Sequence, residues 1–161
     1  KRKFLLLMES EIKLDKIIIG RKDILDFPKL DLYGIEVKVD TGAYTSSFHC
    51  HHIQEIEKDG VKMLNCKFLD PAHPNYNNKD FWFDNYRIRK VKSSNGIVEV
   101  RFSITTEVRI FEQILPIELT LTERGEMKYS ILIGRKFLKK KYVVDTAFSN
   151  RSHKGKIKFI K

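Results

Sequence analysis

The residues with the clearest potential for chemistry form one short segment, Val39-Asp40-Thr41-Gly42-Ala43. It completes the run Ile35-Glu36-Val37-Lys38-Val39, where apolar and charged residues alternate as in a half-buried strand. This alternation puts the three apolar side chains on one face and brings the Asp40 carboxylate to the strand's end, where the glycine lets the backbone turn sharply. Such a carboxylate either caps a turn or acts as an acid or base in catalysis.

A second cluster of possible ligands is His49-Cys50-His51-His52, which combines imidazole and thiol groups, both ligands of Zn²⁺. In a regular strand successive residues point to opposite faces, so His49 and His51 would share one face and Cys50 and His52 the other. At most two ligands then converge, and Cys66 or His73 would have to complete a site. The chain also lacks the His-Glu-x-x-His pattern of helical zinc peptidases. A structural or adventitious zinc site stays open as an alternative, and a catalytic one is less favoured.

Several other function classes lack their signals. No Gly-rich phosphate-binding loop occurs, so we expect no ATP site. The formal charge is +10, yet no helix-turn-helix, zinc-finger or RNA-binding pattern accompanies it, so nucleic-acid binding is not expected. Residues 1–134 contain 21 basic and 20 acidic residues, whereas residues 135–161 contain 10 basic residues and 1 acidic residue. This C-terminal charge is either a solvated surface or an attraction for an acidic partner or substrate.

Short strands separated by turns dominate the chain. The Lys58-Asp59-Gly60 and Ser94-Asn95-Gly96 segments predict hairpin turns, because Asp-Gly and Asn-Gly pairs tolerate positive φ. A helix is favoured only over residues 135–141. The pattern predicts an all-β protein, a small barrel or a sandwich. The candidate strands are residues 17–19, 35–39, 53–56, 63–69, 86–91, 97–104, 108–111, 114–121, 142–144 and 157–160.

Length and composition predict one domain over residues 1–161, with 42% hydrophobic and 32% charged residues. We expect residues 1–15 to form a flexible N-terminal segment and residues 146–161 a basic C-terminal tail or strand. Two cysteines cannot build a disulfide framework. The apolar runs are too short to span a membrane, and no export signal is recognisable. These features predict a cytoplasmic protein that does not associate with membranes.

The Asp-Thr-Gly-Ala segment and the downstream run Ile131-Leu132-Ile133-Gly134-Arg135 together resemble the retropepsin-like aspartic peptidases. More closely, the chain resembles the prokaryotic family labelled ATP-dependent zinc proteases, which occurs beside ATP-grasp ligases that add glutamate to ribosomal protein tails. The interval between the two segments is longer than in viral retropepsins, and no second Asp-Thr-Gly occurs. Further blocks carry the closer resemblance: Ile19-Gly20-Arg21-Lys22, Thr45-Ser46-Ser47 with His49, Val91-Lys92-Ser93-Ser94-Asn95-Gly96, Leu121-Thr122 with Arg124, Met127 and Tyr129, and the stretch from Gly134-Arg135 to Asp145.

The resemblance implies a closed retropepsin-like β-barrel with one short C-terminal helix, and Asp40 as the catalytic residue. Thr41 would hydrogen-bond across a dimer axis, Gly42 would offer its carbonyl to substrate, and Ala43 would permit close approach. Active-site support is also implied for Gly134 and Arg135. The hairpin at Ser93, Ser94, Asn95 and Gly96 is either a flap over the cleft or a plain surface hairpin.

A single Asp-Thr-Gly has a mechanistic consequence. Hydrolysis by aspartates needs two carboxyl groups sharing one proton: the ionised one activates water while the protonated one donates to the peptide carbonyl. One chain supplies only Asp40, so the second carboxyl must come from a homodimer partner. The resemblance and this requirement together predict a cofactor-free aspartic endopeptidase. The association of the resembling family with glutamate ligases, together with the basic C-terminal segment, implies acidic or glutamate-tailed proteins as candidate substrates. The alternatives are a non-catalytic dimeric module that binds acidic tails, and a zinc-binding protein.

Overall fold

The computed structural model describes residues 15–123 and 128–160, and most of them lie in β-strands. The all-β prediction is confirmed at this level, as is the short C-terminal helix, α1 (Arg135–Leu138); a single 3₁₀ turn covers Pro28–Leu30. The strands are β1 (Lys16–Ile19), β2 (Lys22–Phe27), β3 (Leu32–Val39), β4 (Ser46–Lys58), β5 (Val61–Phe68), β6 (Phe81–Phe83), β7 (Tyr86–Lys92), β8 (Val98–Ile110), β9 (Gln113–Thr122), β10 (Ile131–Ile133), β11 (Tyr142–Val144) and β12 (Phe159–Ile160).

Six strands are hydrogen-bonded in a ring, in the order β10, β3, β2, β8, β9, β4 and back to β10. The short β10 closes this ring because it pairs parallel to β3 on one side and antiparallel to β4 on the other. Strands β5 and β6 extend from β4, and β7 pairs with β8 outside the ring. A separate sheet contains β11, β1 and β12. The ring thus brings the end of β3, the start of β4 and the end of β10 together.

The core explains why β3 is held firmly. Its apolar residues Ile35 and Val37 are fully buried and Val39 is 7% exposed, as the alternation predicted. Three fully buried phenylalanines belong to the same hydrophobic core. The ring centroids of Phe27 and Phe48 are 5.5 Å apart, and those of Phe48 and Phe68 are 4.9 Å apart. The strand that ends at Asp40 therefore rests on a packed aromatic core.

Both predicted hairpin turns are confirmed. Asp59 and Gly60 have φ values of 53° and 75° and join β4 to β5. Two successive positive φ values are the requirement of the tight turn that matches strand twist. Gly96, with φ 84°, lies in the turn between β7 and β8.

Several element boundaries differ from the prediction. Strand β8 runs unbroken from Val98 to Ile110, because Thr105 and Thr106 continue its pairing with β9. Strand β4 begins well before residue 53, and β2 was not predicted at all. The helix ends at Leu138 rather than at residue 141, since Lys140 adopts φ 69°, outside the right-handed helical region.

The C-terminal segment is anchored to the ring. The backbone N–H groups of Ser152 and His153 donate to the buried Asp23 carboxylate at 2.9 and 3.1 Å. The predicted flexible segment 1–15 lies outside the described residues except for its last member, as do Arg124 and Met127. Within residues 15–123 and 128–160, no helix is long and apolar enough to cross a bilayer.

Candidate active site

Asp40 lies directly after β3 and is half-buried. Its backbone N–H donates to the carbonyl of Ile133 in β10 at 2.9 Å. Its Oδ1 accepts hydrogen bonds from the N–H groups of Gly42 at 3.0 Å and Ala43 at 3.3 Å. One carboxylate oxygen is thereby fixed by the loop, while the described residues provide no hydrogen-bond donor to Oδ2. The loop leaves this second oxygen available for chemistry.

The Asp40 loop (residues 40–45) interlocks with the end of β10. The Arg135 N–H donates to the Ala43 carbonyl at 2.9 Å. The Arg135 guanidinium donates through Nη1 to the carbonyls of Thr41 at 2.8 Å and Gly42 at 2.9 Å. Arg135 thus ties down three consecutive carbonyls of the loop, and its partners are backbone groups rather than an acidic side chain. The Gly42 carbonyl that the resemblance assigns to substrate already accepts one hydrogen bond here.

Gly134 occupies a position where no side chain fits. A Cβ at this residue would lie 2.7 Å from the carbonyl carbon and oxygen of Thr45 and 2.8 Å from the Tyr44 carbonyl oxygen. The Gly134 N–H donates to the Ser46 Oγ at 3.0 Å, so Ser46, the first residue of β4, also holds the end of β10 in place. In the sequence, Ser46 stood out only as part of a block that carries the family resemblance, and no pattern indicated its contact with Gly134.

A cleft of about 580 Å³ opens over the Asp40 loop. The β7–β8 hairpin forms its opposite wall, and Ser93 and Ser94 line it, whereas Asn95 and Gly96 lie in the turn outside the lining. The lining carries four cationic residues and a single carboxylate, that of Asp40. Sequence reasoning missed three of these cations, because nothing in β7 and β8 distinguishes a cleft-facing from an outward basic residue. The cations are Lys90, Lys92, Arg101 and Arg135.

The His/Cys cluster does not follow the predicted alternation. His49 and Cys50 are buried and His51 is exposed, because a register shift between Cys50 and His52 makes His51 an extra residue in β4. Burial lowers the pKa of His49, and burial together with the neighbouring Cys66 thiol raises the pKa of Cys50 well above its usual value. Among the described residues no group of three or more His, Cys, Asp or Glu side chains is arranged to hold a metal ion.

A charged cluster lies beside the cleft and is centred on Glu118 in β9. Its Oε1 accepts from Arg89 Nε at 2.8 Å and from Ser103 Oγ at 2.9 Å, and its Oε2 accepts from Lys136 Nζ. The side chain is only 13% exposed. Partial burial opposes ionisation, but the hydrogen bonds from Lys136, Arg89 and Ser103 together lower the pKa of Glu118 to about 2.

The Glu118→Gln substitution is expected to lower the free energy of unfolding at pH 7 by about 2 kcal/mol. The ordinary pKa of this carboxyl is 4.5 and its folded value is about 2. The stabilisation by the ionised carboxylate is therefore fully present at pH values above 4.5, and it is lost as the pH falls towards 2. Urea titrations at several pH values should show the difference between wild type and variant shrinking below about pH 4.5.

Glu107→Gln is the matched control for this prediction. Glu107 lies in β8 and is half-buried, and it pairs at 2.8 Å with Lys29, whose side chain is exposed. Loss of this solvent-accessible pair should cost about 0.5 kcal/mol or less. A pH-independent loss in Glu118→Gln would show that charge on Glu118 does not stabilise the fold.

Known proteins are similar to this chain in sequence. The model of the family described as RimB-like, retropepsin-like aspartic endopeptidase RimB, matches residues 18–154. A probable alpha-L-glutamate ligase from Parasynechococcus marenigrum (strain WH8102) is 32% identical over 140 residues, 84% of this chain and 29% of that protein. Another, from Shewanella halifaxensis (strain HAW-EB4), is 33% identical over 139 residues, 84% of this chain and 30% of that protein. The chain spans less than a third of the length of these relatives.

A crystal structure of a Legionella pneumophila protein of unknown function shares the fold. It aligns with a TM-score of 0.64 at 24% sequence identity, covering 84% of this chain and 97% of that chain.

Proposed function

Because the chain belongs to the RimB-like family of retropepsin-like aspartic endopeptidases, as its sequence blocks predicted, we propose that it hydrolyses peptide bonds as a homodimer. Each subunit contributes Asp40, and the two carboxyl groups share one proton across the two-fold axis. The ionised carboxylate takes a proton from water, and the protonated one donates to the oxygen of the scissile carbonyl. The reaction uses no cofactor, and the ring of six strands serves as the barrel of each subunit.

The observation that carries this proposal is the constraint on Asp40. Its Oδ1 is fixed by two backbone N–H groups, and its loop is clamped by Arg135. Meanwhile Thr41 and Gly42 at the tip of the same loop are exposed. A rigid loop with an exposed tip suits contact with a second copy of itself, in which Thr41 would bond across the axis. Rigid placement is what a shared-proton pair requires, because small displacements cost much of the rate.

The charge of the cleft supports an acidic substrate. Lys90 and Lys92 line the cleft, and neither takes part in the ion pairs found among the described residues. Arg101 is ion-paired with Glu99 at 2.7 Å, so the two lysines supply most of the positive charge that faces bound peptide, and the basic C-terminal segment contributes at longer range. Relatives named probable alpha-L-glutamate ligase contain this domain within a longer chain. We therefore propose that the substrates are proteins carrying acidic or glutamate tails, cleaved in the cytoplasm.

The test compares two peptides of equal length, one ending in several glutamates and one with glutamines in their place, with products identified by mass spectrometry. We expect cleavage of the glutamate peptide at a KM about tenfold lower. Lys90→Gln/Lys92→Gln should remove this preference, whereas Lys29→Gln should keep it, because Lys29 does not line the cleft and pairs with Glu107. Binding of the glutamate peptide without cleavage would favour the non-catalytic module. Stoichiometric zinc in tag-free protein, with cleavage lost on chelation, would favour the zinc protein.

A further inference from the structure

The β7–β8 hairpin leaves the ring at Ser103. From this residue to Ile110, β8 is paired with β9. Nearer the turn, within the described residues, the strands of segment 88–102 pair only with each other. We call this segment the hairpin arm. A two-stranded hairpin is marginally stable by itself, so the orientation of the arm depends on side-chain contacts at its base.

Glu118 lies at that base and contacts both strands of the hairpin. It accepts hydrogen bonds from Arg89 of β7 and from Ser103 of β8, at 2.8 and 2.9 Å. Both contacts use the same carboxylate oxygen. Hydrogen bonds to an ionised carboxylate are stronger than those between neutral groups, and the Glu118 side chain is only 13% exposed to competing water. The carboxylate therefore holds the arm at the point where its pairing with the ring ends.

The other carboxylate oxygen of Glu118 is connected to the Asp40 loop through Lys136. It accepts from Lys136 Nζ, and the backbone N–H of Lys136 donates to the Tyr44 carbonyl at 2.8 Å. The preceding residue, Arg135, holds the carbonyls at the tip of the same loop. An unbroken series of polar contacts thus connects Arg89 in the arm, through Glu118, to the loop that carries the candidate catalytic residue.

We infer that Glu118 is a positioning residue, whose carboxylate couples the hairpin arm to the Asp40 loop and so fixes the arm over the cleft. The mechanical coupling follows from contacts within one chain. Its effect on catalysis rests on the proposed function, because the arm acts as a flap only if the cleft binds and cleaves peptide.

Hydrogen exchange of the arm amides, read by mass spectrometry, tests the coupling. Arg89→Met removes the contact on the arm side, and Lys136→Met removes the contact on the loop side without touching the arm. We expect exchange of residues 88–102 to rise about tenfold in Arg89→Met and several-fold in Lys136→Met. The double variant should exchange no faster than Arg89→Met, because the two contacts act through one carboxylate. Glu107→Gln should exchange like wild type.

The kinetic readout uses Glu118→Gln, for which KM of the glutamate peptide should rise about tenfold while kcat stays within about twofold. Arg89→Lys keeps a cation at this position, so its arm amides should exchange almost as slowly as those of wild type. This variant keeps the coupling testable if Glu118→Gln does not fold.

If Lys136→Met leaves arm exchange unchanged, or if the two single effects simply multiply, Glu118 is a local anchor and the coupling is wrong. If wild type cleaves no peptide but the exchange pattern holds, the proposed function fails and the coupling stands.

Discussion

Asp40→Asn is expected to reduce peptide hydrolysis by about a thousandfold or more while leaving the fold intact. The amide has the shape of the carboxylate, and its oxygen still accepts the hydrogen bonds from Gly42 and Ala43. It cannot accept a proton from water or share one with a second Asp40, so the proposed dyad would lose its base. Activity on the glutamate peptide, with circular dichroism and thermal unfolding on the same sample, measures both effects.

Asp145→Asn is the matched control. Asp145 also follows a strand and precedes a threonine, in Val144-Asp145-Thr146, and its Oδ1 accepts from the Ala147 N–H at 2.9 Å. It does not line the cleft, so its amide variant should retain wild-type turnover. Equal turnover by Asp40→Asn and wild type would remove the dyad from the mechanism.

Gly134→Ala is expected to lower the free energy of unfolding by about 3 kcal/mol, or to prevent folding. The added methyl would lie 2.7 to 2.8 Å from backbone atoms of Thr45 and Tyr44, and backbone cannot move aside as the end of a long side chain can. Relief of the clash must separate β10 from the Asp40 loop, so activity should fall as well. Urea unfolding at neutral pH measures the loss.

Gly155→Ala separates this clash from the general effect of replacing a glycine. Gly155 has φ 62° and no atom near its missing Cβ, so alanine there costs only backbone strain, about 1 kcal/mol. An unfolding free energy of Gly134→Ala at or above that of Gly155→Ala would contradict the close contact between β10 and the loop.

Much of the local structure around Asp40 was predictable because it depends on neighbouring residues. Alternation fixed the buried face of β3, and Asp59-Gly60 fixed a hairpin turn, since both act over a few positions. The two segments that interlock, Asp-Thr-Gly-Ala and Gly134-Arg135, were paired only through a family resemblance. Their hydrogen bonds join residues far apart in sequence, and no periodicity reveals such a contact.

The role of Glu118 was not predictable for the same reason. In β9 it is one polar residue in an alternating strand, and its partners Arg89 and Lys136 come from elements on either side in the chain. The bulge at His51 was also missed, because one inserted residue changes the exposed face without a compositional signal. Patterns within an element predict burial, whereas partners from other elements are set by the closure of the ring.

The most direct test of the shared dyad is the activity of mixed dimers. Wild-type and Asp40→Asn chains are unfolded together in varied ratios, refolded, and assayed at a fixed total concentration on the glutamate peptide. If each active site needs two Asp40 carboxyls, activity falls with the square of the wild-type fraction, to about one quarter in an equal mixture. Activity that falls in proportion to the wild-type fraction, to about one half, would mean that each chain acts alone and would contradict the account.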